Sequence, residues 1–136
     1  LKNSGLADER GFVPVDFNTM RADQSTHRNI YAVGDCIGNP GPKQGHLALM
    51  QATIAAEHLG WRINRRGTVR AYLPEFRCVM DQGGGEGLYL YSQFMSDGDV
   101  LEIQAGREPH DSKVRFEELF LQQKGDIGEL HHQMIK

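Results

Sequence analysis

One stretch of seven residues decides how this chain is expected to fold: Asn29-Ile30-Tyr31-Ala32-Val33-Gly34-Asp35. Residues 30–33 are apolar without interruption, which predicts a short strand buried on both faces, as in a parallel sheet. Gly34 then lets the backbone turn sharply or approach a ligand closely. Asp35 would lie at the carboxyl end of this strand, the edge where open α/β sheets bind their ligands. A carboxylate there can accept hydrogen bonds from sugar-like hydroxyls.

A connection rich in glycine and proline follows, over residues 34–45, and leads into a helix. Such breakers predict an irregular loop, and a loop between a buried strand and a helix is a good place for ligand contact. Residues 45–59 are predicted as a helix because apolar side chains recur at helical spacing, with Gly60 as the C′ residue. The N-terminus of this helix would point back toward the edge that carries Asp35, with free backbone N–H groups.

On either side of this centre the sequence predicts small elements. Residues 11–16 indicate a short strand that Pro14 makes either an edge strand or a strand without full ladder pairing, and residues 18–29 indicate a loop. In the second half, three segments have strand character: 76–81, 88–92 and 100–103. The first two are joined by a glycine-rich hairpin connection. A helix with a wide apolar face is predicted from Asp111 or Ser112, either of which is a good N-cap, to a break at Gly125. A second short helix would span residues 129–135.

Composition excludes several classes of function. The 136 residues carry a formal charge of −3 with a pI near 6.1, which gives no electrostatic case for binding nucleic acid. No apolar run approaches the ~18–20 residues that span a bilayer, and no signal peptide opens the chain. The two cysteines are too few for a disulfide scaffold. The histidines lack a third ligand at metal spacing, so no metal site is predicted.

The residues from Ser25 to Asp35 form one pattern: a hydroxyl residue, four arbitrary residues, an apolar, an aromatic, two apolar residues, Gly and Asp. This pattern resembles the second flavin-binding fingerprint of the FAD-dependent pyridine nucleotide-disulfide oxidoreductase superfamily. The resemblance implies that Asp35 bonds the ribityl chain of FAD and that the next helix directs its positive N-terminus at the flavin ring. The alternative is a buried strand that ends in an ordinary Gly-Asp turn. The implied cofactor-binding residues are Gly34, Asp35, Lys43, Gln44, Gly45 and His46.

A second motif narrows the resemblance. Cys78 is followed by two apolar residues, an Asp, one further residue and a Gly. This run resembles a motif of the sulfide:quinone oxidoreductases and flavocytochrome c sulfide dehydrogenases. Residues 113–120 of this chain also resemble the C-terminal helix of that family. The resemblance implies that Cys78 is the catalytic, sulfur-carrying cysteine beside the flavin; the alternative is an inert core cysteine. Arg77 would face the other side of the strand, and Cys36 is interpreted as structural.

Two tyrosines of the second half, Tyr89 and Tyr91, would share one face of their strand. They would line a quinone pocket with Phe94, Phe116 and Phe120, or else pack in the core. The family's first dinucleotide fingerprint, Gly-x-Gly-x-x-Gly, is absent from this sequence, and so is the expected upstream partner cysteine.

These observations predict an α+β chain: residues 1–60 form the C-terminal half of an FAD-binding domain, and residues 61–136 a sheet-plus-helix interface domain. The chain does not begin with Met, and we interpret it as the C-terminal portion of a longer, FAD-dependent, sulfide-oxidising enzyme. Its expected partners are the N-terminal part of the same polypeptide, sulfide and a quinone. A peripheral membrane contact and a homodimer stay open, and the expected location is the cytoplasm or its membrane surface. The rival interpretations are a type II NADH dehydrogenase-like flavoprotein and a non-catalytic dimerisation or docking domain.

Overall fold

A computed structural model describes residues 2–22, 29–38, 41–93 and 102–122, and it confirms the predicted α+β class. The strands are β1 Val15–Asp16, β2 Arg21–Ala22, β3 Glu75–Gly83, β4 Glu86–Gln93 and β5 Glu102–Gly106; the helices are α1 Gly45–Asn64 and α2 Arg107–Gln122. Short 3-10 turns occupy Lys2–Ser4 and Gly34–Cys36. The chain divides into two compact units, Leu1–Pro74 and Glu75–Lys136. The roles predicted for residues 1–60, as half of an FAD-binding domain, and for residues 61–136, as an interface domain, stay predictions. Within the described ranges, no helix is long and apolar enough to cross a membrane.

The predicted parallel strand over residues 30–33 is wrong in this structure. Tyr31 makes a single antiparallel bridge to Arg21. The flanking bonds are Ala22 N–H to the Ile30 carbonyl at 2.9 Å and Ala32 N–H to the Met20 carbonyl at 3.0 Å. These residues are only half-buried. The physical reason is that the neighbour along this stretch is the two-residue strand β2, which runs antiparallel to it. A longer ladder has no partner among the residues described.

The predicted strand over residues 11–16 shortens to β1, which pairs with β2 through Val15–Ala22 and Asp16–Arg21. The predicted loop over 18–29 therefore contains a strand, and its residues 23–28 lie outside the described part. Asp16 closes the turn between the two strands: its carboxylate accepts from the Asn18 backbone N–H at 2.9 Å. Aspartate at such a turn start holds the chain by bonding the backbone two residues on.

Helix α1 is five residues longer at its C-terminal end than predicted, because Gly60 lies inside it rather than after it. The helix ends instead at Arg65, whose left-handed conformation (φ 54°) lets its N–H bond the Trp61 carbonyl at 2.8 Å. The extra turn makes contacts of its own: Arg62 donates to the Tyr31 hydroxyl at 3.3 Å. A glycine inside a helix costs roughly 0.5–1 kcal/mol relative to alanine, and these contacts offset that cost.

The core of the first unit lies between α1 and the small β1–β2 hairpin. Met20, Ile37 and Ile54 are its fully buried members. Half-buried side chains pack around them, among them Phe17 and Tyr72, whose rings stack with centroids 5.7 Å apart. This arrangement ties the segment after α1 back onto the hairpin before it.

The second unit is the predicted antiparallel sheet, in the order β3-β4-β5. Its register places Cys78 opposite Leu90, and Leu90 opposite Ile103. The hairpin turn falls at Gly84 and Gly85, both at positive φ, as the glycine-rich sequence predicts. Strand β5 begins at Glu102 in the described part; the first two residues of its predicted range lie outside that part.

Helix α2 begins at Arg107, four residues before the predicted start. Proline in a first turn is tolerated because the first N–H groups of a helix have no partner anyway, so Pro109 does not delay the start. Close packing on β4 fixes this end: a Cβ built on Gly87 would lie 2.7 Å from the His110 backbone nitrogen. The predicted apolar face is only partly covered, since Val114 and Leu121 are exposed. The predicted break at Gly125 and the short helix after it lie outside the described residues.

Candidate functional site

The Gly-Asp motif forms a tight turn against the start of α1. Gly34 has a φ of +77°, a left-handed conformation that favours glycine, and a Cβ there would lie 3.5 Å from the Ala48 Cβ. The Gly34 N–H donates to the Gln51 side-chain oxygen at 2.6 Å. Asp35 follows with an exposed side chain. The turn is thus held against the first turns of α1, and its carboxylate is open to solvent.

The N-terminus of α1 is open as well. Gln44 is its N-cap, in an extended conformation with no side-chain hydrogen bond to the helix, and the first turn holds no acidic residue. A Cβ on Gly45 would meet nothing within 4 Å. The side-chain oxygen of Gln44 is buried and has no hydrogen-bond partner in the part of the chain that the structure describes. An uncapped helix start beside an unsatisfied acceptor is suited to a ligand that both accepts and donates.

Lys43 and His46 stand on either side of this helix start. The Lys43 ammonium donates to the Ile37 carbonyl at 2.5 Å and lies 4.6 Å from the centroid of the Phe12 ring. It is thus engaged with the preceding loop, and its implied role in binding the cofactor stays a prediction. His46 lies half-buried on the first turn of α1.

Gln51 is the residue that the sequence prediction missed. It is 2% exposed, and besides accepting from Gly34 it donates to the Tyr72 hydroxyl at 2.9 Å. Burial raises the pKa of Tyr72, and the bond from Gln51 partly opposes that rise. The sequence feature that could have identified Gln51 is its position, because it lies on the buried stripe of α1 between Leu47 and Ile54. A polar residue on such a stripe must find hydrogen-bond partners when buried.

A second polar cluster anchors the other half of α1. The Tyr31 hydroxyl lies 3.0 Å from Nδ1 of His58, and the His58 and Trp61 rings stack at 6.1 Å. Burial lowers the pKa of His58, and the positive charges of Arg21 and Arg62 lower it further. This cluster secures the segment that precedes the Gly-Asp turn.

Cys78 lies in the second unit, near the middle of β3. Its neighbours Arg77 and Val79 line a cavity beneath α2, so by strand alternation Cys78 belongs to the opposite face of the sheet. That face also carries Met80, and Leu90 across the ladder. Cys78 is half-buried and free. The predicted opposition of Arg77 and Cys78 is therefore present, while the catalytic role of Cys78 stays a prediction.

Cys36 is also free, and its thiol donates to the Val33 carbonyl at 3.3 Å. This local bond agrees with a structural role. No group of three histidine, cysteine or acidic side chains could hold a metal ion among the residues described.

A cavity of about 490 Å³ lies between the sheet and α2. Its lining residues are Arg77, Val79, Tyr89, Gln104, Glu108, Pro109, Ser112, Lys113 and Phe116. Of the predicted set, Tyr89 and Phe116 share this cavity, Phe120 is not among its lining residues, and Phe94 lies outside the described residues. Tyr91 instead packs under the Arg77 guanidinium, 5.2 Å from ring centroid to Cζ, and Arg77 pairs with Glu75 at 2.6 Å. Burial raises the pKa of Tyr89.

No protein-family model matches this chain. The chain is similar to the mitochondrial sulfide:quinone oxidoreductase of Schizosaccharomyces pombe, with 30% identity over 96 residues. The aligned region covers 68% of this chain and 20% of that relative, so the chain spans about a fifth of the relative's length. This similarity relates the chain to an oxidoreductase and confirms the inferred resemblance at that level.

Proposed function

We propose that this chain is the part of an FAD-dependent oxidoreductase that holds the ribityl chain and the ring edge of FAD, in an enzyme that oxidises sulfide. One observation carries the proposal: the exposed Asp35 carboxylate stands on a turn fixed against the start of α1, whose N-terminus has no side-chain cap. The rest of the cofactor would be held by the remainder of a longer polypeptide. The relative supports this proposal, because the aligned region covers only 20% of its length.

The residues at this turn fit a flavin nucleotide. Asp35 can accept hydrogen bonds from the ribityl hydroxyls, each a charge-assisted bond. Backbone N–H groups at the start of α1 can donate to the carbonyl edge of the ring, and the helix dipole favours negative charge there. The buried oxygen of Gln44 can accept from a ring N–H, which would remove a cost of about 1–3 kcal/mol for an unsatisfied buried acceptor. When bound, FAD would supply two-electron oxidation and reduction.

Cys78 is proposed as the thiol that accepts sulfur. A thiolate is the nucleophilic form of cysteine, and it exchanges sulfur with other sulfur species. Joining the sulfur of sulfide to the Cys78 sulfur forms one S–S bond and releases two electrons and two protons. FAD is the proposed first acceptor of these electrons. A quinone, the class named for the relative, is the proposed second acceptor, and the cavity lined by Tyr89 and Phe116 is the place in this chain for its ring.

Asp35 is tested in the intact parent enzyme by the variant Asp35→Ala. The expected result is a purified enzyme with most of its FAD lost, measured by absorbance after denaturation, because the ribityl hydroxyls lose their acceptor. Asp8→Ala is the matched control, since that carboxylate serves a turn elsewhere in the first unit. An Asp35→Ala enzyme that keeps stoichiometric FAD would refute the cofactor role.

Cys78 is tested by the reduction of bound flavin under anaerobic conditions. Sulfide should bleach the flavin absorbance of the wild-type parent, and Cys78→Ser should abolish this bleaching while Cys36→Ser retains it. If sulfide never bleaches the wild type and NADH bleaches both, the enzyme belongs with the NADH-oxidising flavoproteins. If neither reductant acts and the folded parent holds no flavin, the docking interpretation is favoured.

A further inference from the structure

We propose that Gln51 is a positioning residue that sets the orientation of Asp35 through the backbone of Gly34. The inference rests on the proposed function, because it assigns a role within the same site. It is drawn from three groups that meet inside the first unit: the Gly34 amide, the Gln51 side chain and the Tyr72 hydroxyl.

The hydrogen bonds of Gln51 fix its side chain at both ends. Its oxygen accepts from the Gly34 N–H at 2.6 Å, and its nitrogen donates to the Tyr72 hydroxyl at 2.9 Å. Tyr72 is itself held by stacking on Phe17. Because Gln51 is 2% exposed, water cannot readily replace either bond. The amide thus has one orientation, with its acceptor directed at the turn.

This acceptor determines the backbone direction at Gly34, one residue before Asp35. Gly34 has a φ of +77°, a conformation glycine leaves easily because it has no Cβ to restrict it. A Cβ added to Gly34 would lie 3.5 Å from the Ala48 Cβ, so α1 limits the position of the turn, but it does not fix the rotation of the peptide. The bond to Gln51 fixes the Val33–Gly34 peptide, and the Ile37 N–H, which donates to the Gly34 carbonyl at 3.2 Å, holds the next one. Together they set the direction in which the exposed Asp35 side chain leaves the turn.

The link to Tyr72 makes the turn dependent on the segment after α1. That segment is tied to the helix a second time, where Glu57 accepts from the Arg70 backbone N–H at 3.0 Å and pairs with its guanidinium at 2.6 Å. Gln51 therefore transmits to Asp35 the position of a segment far along the chain. A role in packing alone would give Gln51 no special effect on Gly34.

The test compares Gln51→Met with Tyr72→Phe in the ¹⁵N-labelled full chain. Methionine keeps the approximate volume of Gln51 but removes the acceptor, whereas Tyr72→Phe removes only the other bond. In Gln51→Met the hydrogen exchange of the Gly34 amide should be about tenfold faster, as expected for loss of one hydrogen bond. The Asp35 amide resonance should also move. In Tyr72→Phe both changes should be present but smaller, about two- to threefold in exchange, because Gln51 keeps its acceptor for Gly34 and loses only the bond that holds its far end.

An FAD titration followed at the Asp35 amide separates this inference from the proposed function. If FAD shifts the wild-type resonance, Gln51→Met should weaken the apparent affinity about tenfold, and Tyr72→Phe should weaken it by less, about two- to threefold. If FAD shifts no wild-type resonance, the result counts against the proposed function, and the ligand-free resonances still decide the role of Gln51. Unchanged Gly34 exchange in Gln51→Met, or equal effects of the two variants, would overturn the inference.

Discussion

The contact between β4 and the first turn of α2 gives a prediction whose size follows from the structure. Gly87 is buried, and a Cβ added to it would lie 2.7 Å from the His110 nitrogen and 3.1 Å from both the His110 Cα and the Pro109 carbonyl carbon. Non-bonded heavy atoms of this kind settle at about 3.5–4.0 Å. The obstructing atoms are backbone, so they cannot turn aside as a side chain would. Gly87→Ala therefore requires α2 to move by about 0.5–1 Å from the sheet.

We expect Gly87→Ala to destabilise the second unit by about 1–3 kcal/mol, the usual cost of overpacking. For a domain of this size 1 kcal/mol shifts the melting temperature by about 4–8 °C, so the expected decrease is roughly 5–20 °C. Thermal unfolding followed by circular dichroism measures it. Hydrogen exchange of peptides from β4 and α2 should be faster in the variant, because these are the elements that separate.

Gly60→Ala is the matched control, since it adds the same methyl group at a glycine with nothing within 4 Å. Gly60 lies inside α1, so alanine there should stabilise the first unit by about 0.5–1 kcal/mol. Opposite signs for one chemical change would show that local space, rather than added volume, decides the outcome. A melting temperature for Gly87→Ala within about 2 °C of wild type would refute the described packing of α2 on β4.

Three further predictions concern the first unit. Hydrogen bonds from the Arg70 backbone N–H and side chain lower the pKa of Glu57. The ionised Glu57 therefore stabilises the fold above its ordinary pKa of 4.5, and this stabilisation is lost as pH falls through the lowered pKa. In Glu57→Gln, the free energy of unfolding measured in urea should depend less on pH across this acid range. Burial lowers the pKa of His58, so the free energy of unfolding should be highest above pH 6.5 and should decline as pH falls below it. His58→Gln should remove this decline, and an NMR titration of the His58 imidazole should have a midpoint below pH 6.5. Met20 is fully buried, and Met20→Ala should cost about 2–5 kcal/mol in denaturant unfolding.

The sheet of the second unit was predictable because its signals are local. Alternating residues and three consecutive glycines define the β3–β4 hairpin without reference to any distant segment. The start of α2 was not predictable in the same way. Asp111 and Ser112 are good N-caps by type, but the contact of His110 with Gly87 places the helix start earlier, and that contact joins residues far apart in sequence.

The stretch over residues 30–33 shows what an apolar run can and cannot indicate. It predicts full burial, whereas residues 30–33 are half-buried, with Tyr31 anchored to His58. It cannot indicate a strand, because strand formation depends on a partner with a free edge. The only neighbour in the described part is β2, which supplies a bridge rather than a ladder.

The candidate site likewise has a part that the sequence predicts and a part that it does not. Gly34, Asp35 and the start of α1 are close in sequence, and a motif of fixed spacing was enough to bring them together. Gln51 could not be assigned from sequence, because its role depends on Tyr72, which approaches it only in the folded unit. The residues of the site that face solvent are thus predictable from a local motif, whereas the buried hydrogen bonds behind them depend on tertiary contacts.

The two free cysteines fall one in each compact unit, Cys36 in the first and Cys78 in the second. Nitroxide labels on these thiols would form a spin pair built from native residues, with no cysteine to add or remove. Electron–electron resonance between the labels would measure the separation of the two units in solution. Repeating the measurement with FAD present would show whether binding of the cofactor changes that separation.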